Sequence, residues 1–382
     1  MVLPYSYAGP LLSSSARLLY NARVLLFFLL LALGLSDSAP WWSVQTSGLD
    51  TNLRGVSVKY DEGSEGKENF FVWASGSNGM ILRSINSGKT WKQLNVSGGG
   101  GLDFRDIEAF DADVTYVMSS GDGGKSRIYK TTDGGKTWKL QYSDKRAGFF
   151  LDSLACRSNT HCFALSDPVD GKFLVLSTDD GEHWKELPRD RMPPALHNEG
   201  AFAASGTAIA LCERGGIYFG TGGPKARIFR SFDEGRSWTV VETPISSGND
   251  SSGVFSIACE GPDTLVAVGG DYKEPALTNR VAMYSEDAGQ TWQLSPQQPG
   301  GYRSAVGSFD YGDFAAVGPN GTDISHDHGI TWKHTDRLNL NAVSFEGPQG
   351  WAVGPNGTIA RFKTHFFYEI RNLKPPGTTS GS

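Results

Sequence analysis

The sequence predicts an all-β protein made by copying one supersecondary unit, and three observations predict it. A motif of the form Ser/Thr-x-Asp-x-Gly-x-Thr-Trp occurs six times, at 84–91, 131–138, 177–184, 231–238, 285–292 and 325–332, about once every 48 residues. Short β-rich runs flank each copy, such as Arg127–Lys130 before one and Trp238–Glu242 after another, and two more apolar runs lie further upstream, as in Val254–Ala258 and Thr264–Val268. The 48 glycines are spread among these runs as turn residues, without a Walker or dinucleotide fingerprint.

Each motif reads as a hairpin turn between a third and a fourth strand. Its carboxylate or amide (Asn86, Asp133, Asp179, Asp233, Asp287, Asp327) closes the turn by accepting backbone N–H groups. The glycine supplies the positive φ, and the tryptophan pins the turn between neighbouring units. Four short strands per unit is the makeup of a propeller blade. Six motifs give six blades, and the chain ends supply a seventh. Residues 341–362 read as three strands without a fourth, and Trp41–Thr46 resembles the Trp-led strand that follows each motif. A six-bladed ring would leave both ends without partners and sheet edges open. The expectation is therefore a seven-bladed β-propeller of four-stranded antiparallel blades over residues 40–366, closed by strands from both termini.

Residues 1–39 differ in kind. Arg17 and Arg23 precede the apolar run Val24–Leu35 and then small polar residues, which reads as a secretory signal peptide or, alternatively, an uncleaved signal-anchor. Residues 367–382 read as a flexible tail. The chain is thus expected to be secreted or extracytoplasmic, and any membrane link would run through that N-terminal segment. Cysteine usage agrees with export. Cys156 and Cys162 flank a hairpin, while Cys212 and Cys259 sit at equivalent positions of neighbouring blades. Four cysteines still allow three pairings. Metal binding is the weaker reading of these residues, because no Cys-x-x-Cys occurs, and His326 and His328 read as turn positions beside Asp327. Sequons at Asn95, Asn249, Asn320 and Asn356 mark candidate glycosylation sites. Net charge is −6, with 35 basic residues against 41 acidic ones and no basic tract, which argues against nucleic acid as a partner. No cofactor motif is found, and a monomer is expected.

Propeller connectivity puts all six motif turns on one face, where they read as structural. The opposite face gathers the segments leading into each first strand and leaving each second strand. Those positions bring Arg54, Arg105, Asp152, Glu199, Ser252, Arg303 and Asn341 together with Asp167, Thr221, Asp271, Tyr272 and Tyr302. Arginine's planar fork suits a carboxylate or phosphate on a protein or small ligand. The competing reading is that these charges compensate one another across the channel.

The six motifs resemble Asp-boxes, the BNR repeat of sialidases, sortilin-type receptors and the photosystem II stability/assembly factor family. Phrases such as Gly350–Arg361 and Val72–Arg83 resemble the assembly factors most, over about residues 41–363. That resemblance implies a non-catalytic scaffold engaging membrane-protein precursors, with Arg54, Arg105 and Arg303 as contact candidates. The four cysteines and the sequons depart from that family and also suit an assembly or receptor role outside photosynthesis. The sialidase resemblance implies the alternative, a glycan-directed hydrolase. An arginine triad (Arg54, Arg105, Arg303) would clamp a carboxylate beside Tyr302, Glu199 and Asp152. The Arg-Ile-Pro motif of sialidases is absent; its nearest strings, at Arg127 and Arg227, belong to third strands.

Overall fold

In a computed structural model the described residues are 41–63 and 68–363. The expected leader (1–39) and tail (367–382) lie outside them. The chain forms seven antiparallel sheets of four strands each, and one sheet carries an additional two-residue strand, Gly222–Gly223. Blade 1 is Leu53–Tyr60, Phe70–Gly76, Met80–Ser84 and Lys92–Asn95. Blades 2 to 6 begin at Asp103, Leu151, Ile209, Asn249 and Ala305. Blade 7 takes Ala342–Glu346, Gln349–Val353 and Thr358–Phe362 from one end of the chain and Trp42–Thr46 from the other. Trp42 pairs with Phe362 and Val44 with Ala360 in that closing pair.

Alternation along the strands explains the packing. In Phe70–Gly76, Phe70, Val72 and Ala74 face blade 7, whereas Trp73 faces blade 2. The core is accordingly a set of apolar slots, one between each pair of neighbouring sheets. Side chains on the first strands tie one blade to the next around the channel. Ser57 Oγ accepts the Ala109 N–H at 3.1 Å, Asp106 Oδ2 that of Leu154 at 2.6 Å, and Ser153 Oγ that of Ile209 at 3.2 Å. Ser256 serves Val306 at 2.9 Å, and Ser344 serves Val58 at 3.2 Å across the closing junction.

The motif turns have a common bonding scheme. In the fourth, Ser231 Oγ donates to Asp233 at 2.8 Å and accepts the Gly235 N–H at 3.0 Å. Asp233 then accepts Ser237 through both its backbone N–H (2.8 Å) and its hydroxyl (2.6 Å). Asp133, Asp287 and Asp327 hold their turns in the same way, and Asn86 accepts the Thr90 N–H but donates its amide to the Thr90 hydroxyl at 2.8 Å. The third turn departs from the sequence reading. Thr178, one residue after Ser177, offers the hydroxyl to Gly181, so the carboxylate in place is Asp180, which accepts the N–H groups of Glu182 and His183 at 2.8 Å. Asp179 instead reaches Lys185 at 2.6 Å on the surface.

These turns also lock onto the preceding blade. Arg83 donates to Gly134 O at 2.7 Å, Lys130 to Gly181 O at 2.9 Å and Arg230 to Ala288 O at 3.0 Å. Two disulfides are present: Cys156–Cys162 within one hairpin, and Cys212–Cys259 between blades 4 and 5. His326 and His328 turn to different carboxylates, Asp313 at 2.8 Å and Glu260 at 2.6 Å. Asn95, Asn249 and Asn356 are exposed. Asn320 is not available in the same way: its amide donates to Pro275 O and Gly300 O, both at 3.0 Å, and its oxygen holds Arg303.

Hydrogen bonds from Thr137 hold Asp133 down at about 2. A carboxylate depressed in the fold contributes stability above its unfolded value, near 3.9, and loses it as pH falls toward 2. Thermal stability is therefore expected to weaken below about pH 4, and less steeply in Asp133→Asn. At neutral pH, Asp180→Ala should lower Tm while Asp179→Ala leaves it unchanged, as measured by scanning calorimetry.

Candidate functional site

The starts of the first strands and the ends of the second strands meet at the channel mouth, opposite the motif turns. A cavity of about 870 Å³ opens there, lined among others by Arg54, Arg105, Asp152, Asp167, Tyr272, Tyr302 and Asn341. Its floor comes from blade 4. The first strand of that blade starts only at Ile209, and the preceding segment crosses the mouth as a plug. Ser205 Oγ reaches Ser304 O of blade 6 at 2.8 Å, and Ser153 Oγ of blade 3 donates to Gly206 O at 2.5 Å. Gly206 has φ +79°, and a Cβ there would lie 2.2 Å from Asp106 Oδ1, so the plug needs glycine at that point.

Two arginines converge on one plug carbonyl. Arg105 Nη1 donates to Ala203 O at 2.9 Å, and Arg54 Nη2 reaches the same oxygen at 3.5 Å. Arg105 is further held by Asp103 at 2.7 Å. Arg54 has less compensation: its Nε is sealed from solvent without a hydrogen-bond partner. Burial and then the neighbouring Arg105 charge lower the Arg54 pKa from its ordinary value. An anion arriving between the two guanidinium groups would relieve that repulsion.

Blade 3 supplies a pair of carboxylates. Asp152 is only 1 % exposed, and its Oδ2 has no hydrogen-bond partner. Burial, then the proximity of Asp167, raises its pKa well above the carboxylate range. Asp167 is pushed up to about 6 by burial, although its Oδ1 accepts the Ala201 N–H at 2.9 Å. Aromatic rings complete the wall. Phe202 of the plug stacks on Phe255 at 3.7 Å, and Phe255 meets Tyr302 edge-on at 4.8 Å. Burial raises the Tyr302 phenol above its ordinary value.

Other residues singled out from the sequence are committed elsewhere. Arg303 is fully buried and spends its guanidinium on Asp323 (2.6 Å from Nε), Tyr302 O and Asn320. Glu199 borders the cavity but is taken by Arg227 Nε at 2.7 Å and Thr221 Oγ1 at 2.6 Å. Asp271, outside the cavity lining, accepts Asn249 Nδ2 and the Lys273 N–H at 2.9 Å. Burial opposes the charge of Asp271, but bonds from Ser251, Asn249 and the backbone keep its pKa low. Ser252 turns back to Asn249 O at 3.3 Å. Among the described residues Arg303 therefore does not complete an arginine triad, and Glu199, the glutamate at the cavity, is already paired rather than free to support a tyrosine nucleophile.

Sequence reasoning missed the plug, the Ala203 carbonyl and the phenylalanines. A channel pair, buried Asp106 and half-buried Glu108, was missed as well; its enclosed place in the channel pushes Glu108 up to about 7. Spacing does not mark the plug, because the 54-residue interval between the third and fourth motifs recurs between the fourth and fifth.

The repeated turns and the closed ring define the class: an Asp-box repeat β-propeller. The BNR/Asp-box repeat family matches at residues 129–140 and 323–334, the second and sixth turns. Within that class the chain resembles the photosystem II assembly factors. It is 23% identical over 289 residues to the photosystem II assembly lipoprotein Ycf48 of Synechococcus sp. strain CC9902, covering 72% of this chain and 73% of that protein. A structure of Ycf48 bound to a D1 peptide superposes with a TM-score of 0.60 at 13% identity, covering 84% of this chain and 96% of the other. Ycf48 from Cyanidioschyzon merolae gives 0.58 at 15% identity, with 84% and 98% covered. An enzyme, virginiamycin B lyase from Staphylococcus aureus, gives 0.59 at 15% identity, also with 84% and 98% covered. Fold likeness alone therefore does not choose an activity.

The split between committed and available arginines has a direct test. Arg303→Ala strands Asp323 in the interior and is expected to cost about 3–5 kcal/mol. Arg105→Ala, at a partly exposed pair, is expected to cost below about 1 kcal/mol. Urea unfolding of both variants checks the contrast.

Proposed function

We propose that this protein is an exported, non-catalytic propeller that docks a segment of a partner protein at the channel mouth, as a binding scaffold or assembly factor. One observation carries the reading: Arg54 and Arg105 meet over an open cavity, and Arg54 lacks a carboxylate partner of its own. Two like charges held together at a concave site favour an anionic group from outside, here the carboxylate of a peptide. The resemblance to Ycf48, one structure of which holds a D1 peptide, supports a peptide segment as the occupant. The two disulfides support an oxidising compartment, in keeping with a leader at residues 1–39.

The test is a thermal-shift series on the propeller domain with short peptides bearing a free carboxyl terminus, and with sialic and uronic acids. Peptides with a free carboxylate should raise Tm, and Arg54→Ala and Arg105→Ala should each abolish the shift without lowering basal Tm by more than a few degrees. Turnover of a sialyl substrate that Tyr302→Phe eliminates would overturn the reading in favour of a glycosidase.

A further inference from the structure

Resting on that reading of the mouth, we propose that the cavity takes a peptide end whose last residue has a basic side chain. The terminal carboxylate lies on Arg54 and Arg105, and the side-chain cation lies on Asp152.

The cavity is bipolar around the ring. Blades 1 and 2 contribute the arginines, whereas the arc from blade 3 to blade 5 contributes Asp152, Asp167 and the rings of Phe150, Phe202 and Phe255. Within that arc Asp152 is the unsatisfied group. It is almost wholly buried, and its Oδ2 has no donor, although nearly every buried polar atom in a folded protein finds one. Burial and the neighbouring Asp167 outweigh Arg105 and hold this carboxyl toward its protonated form, because burying it as an ion is costly. An ammonium or guanidinium entering the cavity supplies the missing donor and counter-charge together, and the acid proton leaves to solvent. The neighbouring rings add a surface suited to the same cation and to its methylene stem. Arg105 lies close enough to Asp152 to act on its charge, so the two recognition elements sit beside each other. One residue at a peptide's end carries both complementary charges, its α-carboxylate and its side-chain cation, into the cavity that all three residues line.

The test uses fluorescein-labelled alanine pentapeptides ending in lysine or in norleucine, each with a free or an amidated carboxyl terminus, titrated by fluorescence polarisation. Norleucine keeps the stem and removes the charge. On the wild-type protein the lysine peptide should bind about tenfold tighter than the norleucine peptide, which is about 1.4 kcal/mol. In Asp152→Asn, which is isosteric with the protonated acid, that ratio should fall to about one. Binding of the lysine peptide should also release a proton, seen as a buffer-dependent heat in calorimetry. Equal binding of lysine and norleucine ends, both weakened by amidation, would overturn this inference and leave carboxylate docking standing. Binding of neither peptide, or binding indifferent to amidation, would overturn both.

Discussion

Seven sheets must close on themselves before any residue of the mouth can meet another, and the chain closes them with its two ends. The closing strand brings apolar side chains with it. Trp42 sits in the slot between blades 6 and 7 and donates its indole N–H to Thr322 Oγ1 at 2.8 Å, and Trp41 stacks on Phe362 at 5.3 Å. On the channel side, Asn341 bridges to Asn52 Oδ1 and Leu53 O, both at 2.7 Å, immediately beside Arg54. Arg54 in blade 1 and Tyr302 in blade 6 thus face one cavity only because the ring is shut. The bonds between first strands and the locking of the second, third and fifth motif turns by the blade before them hold the ring at that circumference.

The plug turns a channel into a cavity. Without it the mouth would open into the lumen, where Asp106 accepts backbone bonds at 2.6 and 2.8 Å. With it, the two arginines gain a floor and a shared carbonyl, and the carboxylates of blade 3 are pressed out of water. The electrostatics of the site follow from this one segment. Charges that would be hydrated in an open channel are held close together, so their pKa values move and their spare bonding capacity points at whatever enters.

The ring was legible in the sequence because each motif carries its own local chemistry: a hydroxyl, a carboxylate two residues on, a glycine and a tryptophan. Blade count followed from strands left over at both ends. The third motif misled because Gly181 and Trp184 fit the pattern only from Ser177 and Asp179, whereas the adjacent Thr178 and Asp180 carry the same groups and close a turn one residue shorter. At the mouth, connectivity gathers Arg54, Arg105, Asp152, Asp167 and Tyr302, and all five line the cavity. It could not separate them from Arg303, which lies one residue earlier in its blade, at the position of Leu53 rather than Arg54, or from Glu199, which lies in the plug ahead of Ile209. The difference lies in Asp323 and Arg227, partners on strands far along the chain that no local pattern reveals. The plug is irregular backbone, and neither a motif nor an unusual spacing marks its presence.

The account stands or falls on where a peptide seats. The most direct measurement is photo-crosslinking of a carboxyl-terminated peptide carrying a diazirine near its end, with the adducts mapped by mass spectrometry. Adducts at Phe202, Tyr272 and Tyr302, competed away by unlabelled peptide, are the predicted result. Adducts confined to the face of the Asp-box turns, or spread over the surface without competition, would contradict it.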